Sequence, residues 1–435
     1  MTPPGLISIL TTDFVALTRG RSVSDQSESW RTNGAGWVPA NASLDPFGDI
    51  ARPNPFGPMG DVRLIPDAAS EVHLAGIEGR PDLHFVLSDI VELDGRPWDC
   101  CSRSLLKAAL ADLAAAGVRL DVAYEQEFCL LAMVDNPSPP FSLAAHRRAE
   151  PFLSELFALL DEAGVEPENI LPEFGAGQFE ITCAPTAALA AADRAVVIRE
   201  VARDLASAKG QGISFAPKLR PDGVANGVHI HFSLRDLQGR PITRDASAPG
   251  GLSRQAAAFA AGILRHMPAL CAFTAPSPAS YLRLAPHHWS AAYACLGERN
   301  REAALRICPL PASASDPDRS FNLEFRPADV TANPYLALAV LVRAGLAGLA
   351  EGLPMPPLVN ADPSETTEAE LLALGEARLP TSLPLALGAL EADSVAQAWF
   401  PPLFLDAYRG VKLREIWLAA GVSPAELCAR YAAVY

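Results

Sequence analysis

The sequence predicts an α+β fold built on antiparallel sheet, and two observations lead there. Strand-like runs that alternate polar and apolar residues recur along the chain: VRLDVAYEQEFCLL, GQFEITCA, VHIHFSL and FNLEFRP. Between them lie Ala/Leu-rich stretches with helical spacing: EPFLSELFALLDEAG, LAAADRAVVIREVARDLASAKG and SRQAAAFAAGILRHM. In chain order, residues 1 to about 95 read as short strands and loops, opening on apolar LISILTTDFVAL and closing on LHFVLSDIVEL. Residues 103–117, RSLLKAALADLAAAG, have helical spacing with Gly117 as the stop signal. The alternating strands and helices follow. Residues 352–395, rich in Pro, Leu and Glu, are expected to cover the main body, and a last helical part runs through YRGVKLREIW to the end.

At 435 residues the chain has room for two or three domains at roughly 100–200 residues each. Hydrophobic residues at 49% and charged residues at 20% exclude a largely disordered protein. The formal charge of −15 leaves no basic face for nucleic acid. No two of the eight cysteines are spaced C-x-x-C, so a zinc cluster or redox pair is not expected, and buried free thiols in a reducing compartment are. The start, MTPPGLISIL, lacks a signal-peptide layout. The most apolar stretch, Tyr335 to Ala350, is broken by Arg343 and falls short of a span of roughly 20 residues. A cytoplasmic protein with no membrane partner is expected.

Side chains two apart on a strand share a face. Glu125 and Glu127 in AYEQEFCLL therefore stand side by side, as do His229 and His231 in NGVHIHFSL and Glu324 and Arg326 in NLEFRP. Glu173 and Glu180 bracket the Gly-rich turn of PEFGAGQFE, which can fold both carboxylates toward one point. Any one E-x-E is most often solvated surface, and like charges side by side repel. Here Phe128, Leu130 and Leu131 follow Glu127, and Val228, Ile230 and Phe232 interleave the histidines, so a compensating cation is called for. Carboxylates with one imidazole suit Mg²⁺ or Mn²⁺ better than Zn²⁺, and five carboxylates and a histidine suffice for the two-metal clamp used in phosphoryl transfer. Arginine recognises carboxylates and phosphates bidentately, and Arg299, Arg301 and Arg306 in ERNREAALR, with Arg283 before and Arg326 after, fit that chemistry. A surface charge is the bland reading of each, but the apolar ICPLP that follows turns part of the cluster inward. No Walker A, G-x-G-x-x-G, G-x-S-x-G or H-E-x-x-H pattern occurs.

At these residues the chain resembles the glutamine synthetase family, in the bacterial type I lineage and its amine-ligase relatives. DFVALTRGRSV, GDVRLIPD, YEQEF, ENILPEFGAGQFE, FAPKL, VHIHFSL, SYLRLAP, ERNREAALR and LEFRPADVTANPYLAL follow the family's order over roughly residues 10–340. The resemblance implies a small β-grasp N-terminal domain, residues 1–97, and a catalytic domain, residues 98–435. Antiparallel sheet in the latter would line a funnel between subunits of a homo-oligomer, a dodecamer of two hexameric rings. It implies that Glu127, Glu173 and Glu180 hold one metal and Glu125, His229 and Glu324 the other. Arg283 and Arg326 would grip the acid's carboxylate and the transferring phosphate. Arg301 and Arg306 would stabilise phosphate, and Glu168, His231 and Ser233, with Arg306, would contact ATP. The implied reaction activates a glutamate-like acid as an acyl phosphate and amidates it.

The departures bear on the nucleophile. Where ammonia-using members read G-Y-E and take a proton from ammonium, this chain reads Pro286-His287-His288-Trp289, with tryptophan at the glutamate position. The segment expected to carry an ammonium-binding aspartate reads GAGWVPANASLDPF, with Asp45 and Asp49 out of register. Trp289 and Trp37 are therefore candidates for a pocket taking a primary amine, with His287 or His288 as base, against the plain alternative that Trp289 fills core space. Val224 and Ala225 replace the Asn-Gly that meets the acid's amino-acid end, and Asn322 replaces a phosphate-contacting arginine, with Arg319 as the candidate substitute. The expectation is an ATP- and Mg²⁺- or Mn²⁺-dependent ligase joining glutamate or a close analogue to a primary amine. The alternatives are a true glutamine synthetase using ammonia and a catalytically silent binding or assembly protein.

Overall fold

The computed structural model describes residues 5–26, 28–76, 80–286, 290–365 and 377–435. The first sheet contains β1 (Leu6–Thr12), β2 (Thr18–Ser24), β3 (Ala35–Trp37), β4 (Val62–Pro66), β5 (Val72–Leu74) and β6 (Leu83–Val91). Its order is β2-β1-β6-β4-β3, with β5 also on β6; β1 and β6 run parallel and the other pairs antiparallel.

The second sheet starts with the 13-residue β7 (Val118–Leu130), then β8 (Pro167–Pro172), β9 (Gln178–Cys183), β10 (Thr186–Ala187) and β11 (Ile213–Ser214). It continues with β12 (Val228–Asp236), β13 (Tyr293–Glu298), β14 (Ala303–Ile307), β15 (Leu323–Phe325) and β16 (Ala377–Arg378). The order is β16-β13-β14-β15-β12-β7-β9-β8, with β10 and β11 on β7. Every pair is antiparallel except β13 with β14. The expected α+β architecture with antiparallel sheet is observed.

The period-2 pattern of β7 sets the layers. Leu120, Val122, Tyr124, Gln126 and Phe128 are buried, while Asp121, Ala123, Glu125 and Glu127 face the more open side. Helices Ser102–Ala115 and Ala188–Ala208 pack on β7. Helices Arg254–Thr274 and Pro334–Glu351 are long and apolar enough to cross a membrane, but both are mostly buried inside the chain, which explains their composition. They lie backbone to backbone: a Cβ on Gly262 would fall 2.1 Å from the Ala344 carbonyl oxygen, and one on Gly348 would fall 2.1 Å from that of Ala258. All eight cysteines are free and buried.

Two polar nodes join the first sheet to the rest of the fold. Arg103, 3% exposed, donates to Asp67 (2.8 Å) and Asp89 (3.0 Å) on one side and to both carboxylate oxygens of Asp193 (3.0 and 2.8 Å) on the other. The Asn333 side chain caps helix Pro334–Glu351 with its oxygen and donates to the Thr12 and Asp13 carbonyls with its nitrogen.

Candidate active site

Strand register assembles the site. Glu127 stands opposite Glu180 across β7 and β9, and Glu125 stands opposite His229 across β7 and β12. One strand further on, His231 faces Glu324, and Glu324 faces Arg306 on β14. Directly opposed residues on one face sit close enough to interact, so five strands supply one continuous row of acids, imidazoles and a guanidinium. A one-residue slip in any pairing would turn its member of the row into the core.

Glu125 is the hub. Its Oε2 lies 3.4 Å from His229 Nδ1 and 2.9 Å from His231 Nε2. Glu324 Oε1 lies 3.6 Å from His229 Nδ1, and the same carboxylate accepts from Arg306 and Arg326. Two groups of three gather their donor atoms within 4.8 Å: Glu125, Glu180 and His229, and Glu125, His231 and Glu324. These groups differ from the two sets that the family resemblance implies. Asn322 Oδ1, 3.0 Å from His231 Nδ1, holds the ring so that Nε2 meets Glu125. Glu127 and Glu173 sit beside these groups. The donors are hard oxygens with imidazole nitrogen and no thiolate, a set that fits Mg²⁺ or Mn²⁺.

Electrostatics point to the same fit. Burial pushes the Glu127 carboxyl up to about 7 and raises Glu173. Burial and the neighbouring Glu125 charge raise Glu180. Burial opposes ionisation of Glu125 and Glu324 as well, but His229 and His231 hold Glu125 well below the usual carboxylate range. Arg326 and both histidines hold Glu324 at about 2. His229 is pushed down to about 4 by burial and by Arg326. Arg306, Arg326 and the raised His231 therefore serve Glu125 and Glu324 and leave Glu127, Glu173 and Glu180 short of positive charge, where a divalent cation would stabilise their ionised forms.

A cavity of about 360 Å³ is lined by Glu125, Glu127, Glu173, Glu180 and His229 together with Arg283, Arg301 and Arg326. Arg283 is 2% exposed and is pinned by the carbonyls of Pro327 (2.9 Å) and Arg326 (3.0 Å). Arg306, Glu324 and His231 lie in the same row outside this lining, while Arg299 and Arg319 are exposed. Ser233 is buried opposite Asp121, and Glu168 is exposed on β8; neither lines the cavity. Trp37 is buried in the core of the first sheet and does not line this cavity. His287, His288 and Trp289 lie outside the described residues.

Two further cavity residues lie inside the quoted motifs without being marked as functional by them. Gln178 Nε2 lies within hydrogen-bond reach of Glu127 Oε2 (3.0 Å), the Ala225 carbonyl (2.8 Å) and Asn226 Oδ1 (2.9 Å), tying the Gly-rich turn to β7. Its position two before Glu180 on β9 is the pattern that would have found it. Gly227 donates its N–H to Glu127 Oε2 at 2.8 Å, and a Cβ there would meet Arg283 Nη2 at 2.6 Å and His229 Nε2 at 3.0 Å. Only an approach in three dimensions reveals that need.

Residues 1–98 match the glutamine synthetase N-terminal domain and residues 99–429 the glutamine synthetase catalytic domain. The gamma-glutamylpolyamine synthetase of Streptomyces coelicolor is 36% identical over 86% of this chain and 81% of its own. The glutamate–methylamine ligase of Methyloversatilis universalis is 32% identical over 74% of each chain. A crystal structure described as a novel glutamine synthase homolog superposes with a TM-score of 0.93, is 44% identical, and covers 100% of this chain and 99% of its own.

Proposed function

Because this chain belongs to the glutamine synthetase family of carbon–nitrogen ligases, we propose that it joins glutamate, or a close analogue, to a primary amine at the expense of ATP. The observation that carries the reading is the single cavity in which four carboxylates and His229 meet Arg283, Arg301 and Arg326. The polyamine and methylamine ligases among its relatives, and Trp289 where ammonia-using members place an acid, favour an amine over ammonia.

In this reading Mg²⁺ or Mn²⁺ would be held by Glu125, Glu127, Glu173, Glu180, His229 and Glu324. Bound there, the metal neutralises phosphate charge. Arg283 holds the acid's carboxylate. Arg301, Arg306 and Arg326 stabilise the γ-phosphoryl group as it passes to the side-chain carboxylate, giving ADP and an acyl phosphate. His231, in the same row as Glu324, is assigned to ATP; Glu168 and Ser233, which only their family positions assign to ATP, lie outside the cavity lining. The neutral amine nitrogen then attacks the acyl carbon, phosphate leaves, and the nitrogen's proton passes to a base, assigned to His287 or His288. Trp289 is assigned to the amine pocket; Trp37, buried in the core of the first sheet and outside the cavity lining, is not. Enclosure keeps water from the acyl phosphate.

The test is phosphate release from ATP with Mg²⁺ and L-glutamate across ammonium and a panel of mono-, di- and polyamines. Stimulation by an alkylamine and not by ammonium is expected. Stimulation by ammonium alone would restore the ammonia-using alternative, and ATP binding without turnover under every amine would support a silent protein. Trp289→Glu is expected to shift the ratio of kcat/KM values toward ammonium; an unmoved ratio would remove Trp289 from the pocket. The proposed assembly, a cytoplasmic dodecamer of two hexameric rings, would show by light scattering as twelve times the 46.1 kDa chain.

A further inference from the structure

Resting on the ligase reading, we propose that Phe141, Phe174 and Val224 form an apolar lip on the reaction cavity that holds the alkyl part of the amine and sets which amines are used. The cavity that gathers the carboxylates and arginines is also lined by Phe141, Phe174 and Val224. These three are 53%, 55% and 42% exposed, so apolar surface reaches solvent beside strongly charged groups. An isolated exposed apolar side chain needs no explanation, whereas apolar side chains grouped at a polar cavity mark a ligand contact.

The aromatic pair is arranged. The two rings stand 6.5 Å apart at 58°. Phe141 adopts a left-handed backbone, φ 57°, rare for a bulky residue. The Phe174 backbone N–H donates to Glu173 Oε2 at 3.1 Å, which sets the residue that carries this ring directly beside a carboxylate of the proposed metal site.

There is room beyond the lip. A second cavity of about 270 Å³ shares Phe174, Gln178 and Val224 with the first and continues along Cys129, Val134 and Leu219. Among the described residues that line it the one base is Arg220, which is paired with Asp135 at 3.4 Å. The acid's carboxylates are matched by arginines, and the component that brings most hydrocarbon is the amine. An aromatic face also attracts an alkylammonium before it loses its proton.

The experiment is calorimetric binding of n-alkylamines from methylamine to hexylamine to the full chain, with Mg²⁺ and a non-hydrolysable ATP analogue present. Burial of one methylene corresponds to about fourfold in affinity, so a rise approaching that per added carbon is expected in the unmodified protein. Phe141→Ala and Phe174→Ala are expected to flatten the rise to about twofold or less per carbon, and Phe174→Leu, which keeps an apolar surface, to retain most of it. Both side chains are half exposed, so these changes leave the core intact.

A flat series in the unmodified protein, or an equal slope in the alanine variants, overturns the lip. So does a loss of about tenfold in L-glutamate affinity with the amine slope intact, which would assign these residues to the acid. The underlying ligase reading fails separately. A chain-length slope without amine-dependent phosphate release leaves the lip standing and removes the ligase; amine-dependent release with no slope does the reverse.

Discussion

Gly227→Ala places one methyl group where the site has no space, and the structure sets the size of the effect. The new Cβ would lie 2.6 Å from Arg283 Nη2, 3.3 Å from Arg283 Cζ and 3.0 Å from His229 Nε2. A long side chain normally swings away from such a contact, but Arg283 is 2% exposed and its two terminal nitrogens already donate to the carbonyls of Pro327 and Arg326. Retreat to ordinary contact would break or badly stretch at least one of these charge-assisted bonds, each contributing about 1.5–3 kcal/mol. Overpacking of a tight interior costs about 1–3 kcal/mol by an independent measure, so about 2 kcal/mol is the expected loss. Expressed wholly in the grip on the acid's carboxylate, that is a factor of about 30 in its affinity. The assay is KM for L-glutamate at saturating ATP and amine, with the urea midpoint as a second reading. The expected result is a raised KM with a lowered midpoint. A KM and a midpoint both matching the unmodified protein would refute the argument that Arg283 is pinned.

Further outcomes follow from the same geometry. Arg103→Met leaves Asp67, Asp89 and Asp193 without their shared guanidinium. Lys107, 2.5 Å from Asp89, remains as a partial substitute, so about 3 kcal/mol is expected at the low end for a broken buried pair, read as a lower urea midpoint. Glu125 belongs to both donor groups, so Glu125→Gln should abolish Mn²⁺ binding as followed by calorimetry, whereas Glu324→Gln should weaken one class of site and spare the other. In the metal-free chain the raised Glu127 carboxyl makes the folded state bind more protons than the unfolded one between the ordinary carboxylate range and about pH 7. Stability should therefore fall as pH rises through that window, by about 3 kcal/mol at most from this one group, and saturating Mg²⁺ should cancel the fall. Urea unfolding at pH 5 and pH 8, with chelator and with Mg²⁺, reads both effects.

Much of this site was legible because strand chemistry is written at a spacing of two. Glu125 with Glu127, His229 with His231 and Glu324 with Arg326 each share a face whatever their strands pair with. Other features were not legible. Spacing along one strand says nothing of which residue stands across from it, so the position of Glu125 between two donor groups, and the turn of His231 toward it, depend on β7–β12 and β12–β15 register and on Asn322. Glu168 and Ser233 fall at family positions by sequence count, yet Glu168 is exposed on β8 and Ser233, on the face of His229 and His231, lies beyond the cavity lining opposite Asp121.

The sequence by itself determined the kind of fold, the family, and which residue types carry the chemistry, because hydrophobic period and motif order are local properties of the chain. The tertiary structure decided what those residues do to one another. It buried Glu127 until its carboxyl titrates near neutrality, left no room for a side chain at Gly227, and brought Phe141 and Phe174 from separate segments to the mouth of one charged cavity. Desolvation, close approach and the meeting of distant segments depend on what fills the space around a residue, and that space is defined only when the whole chain has folded.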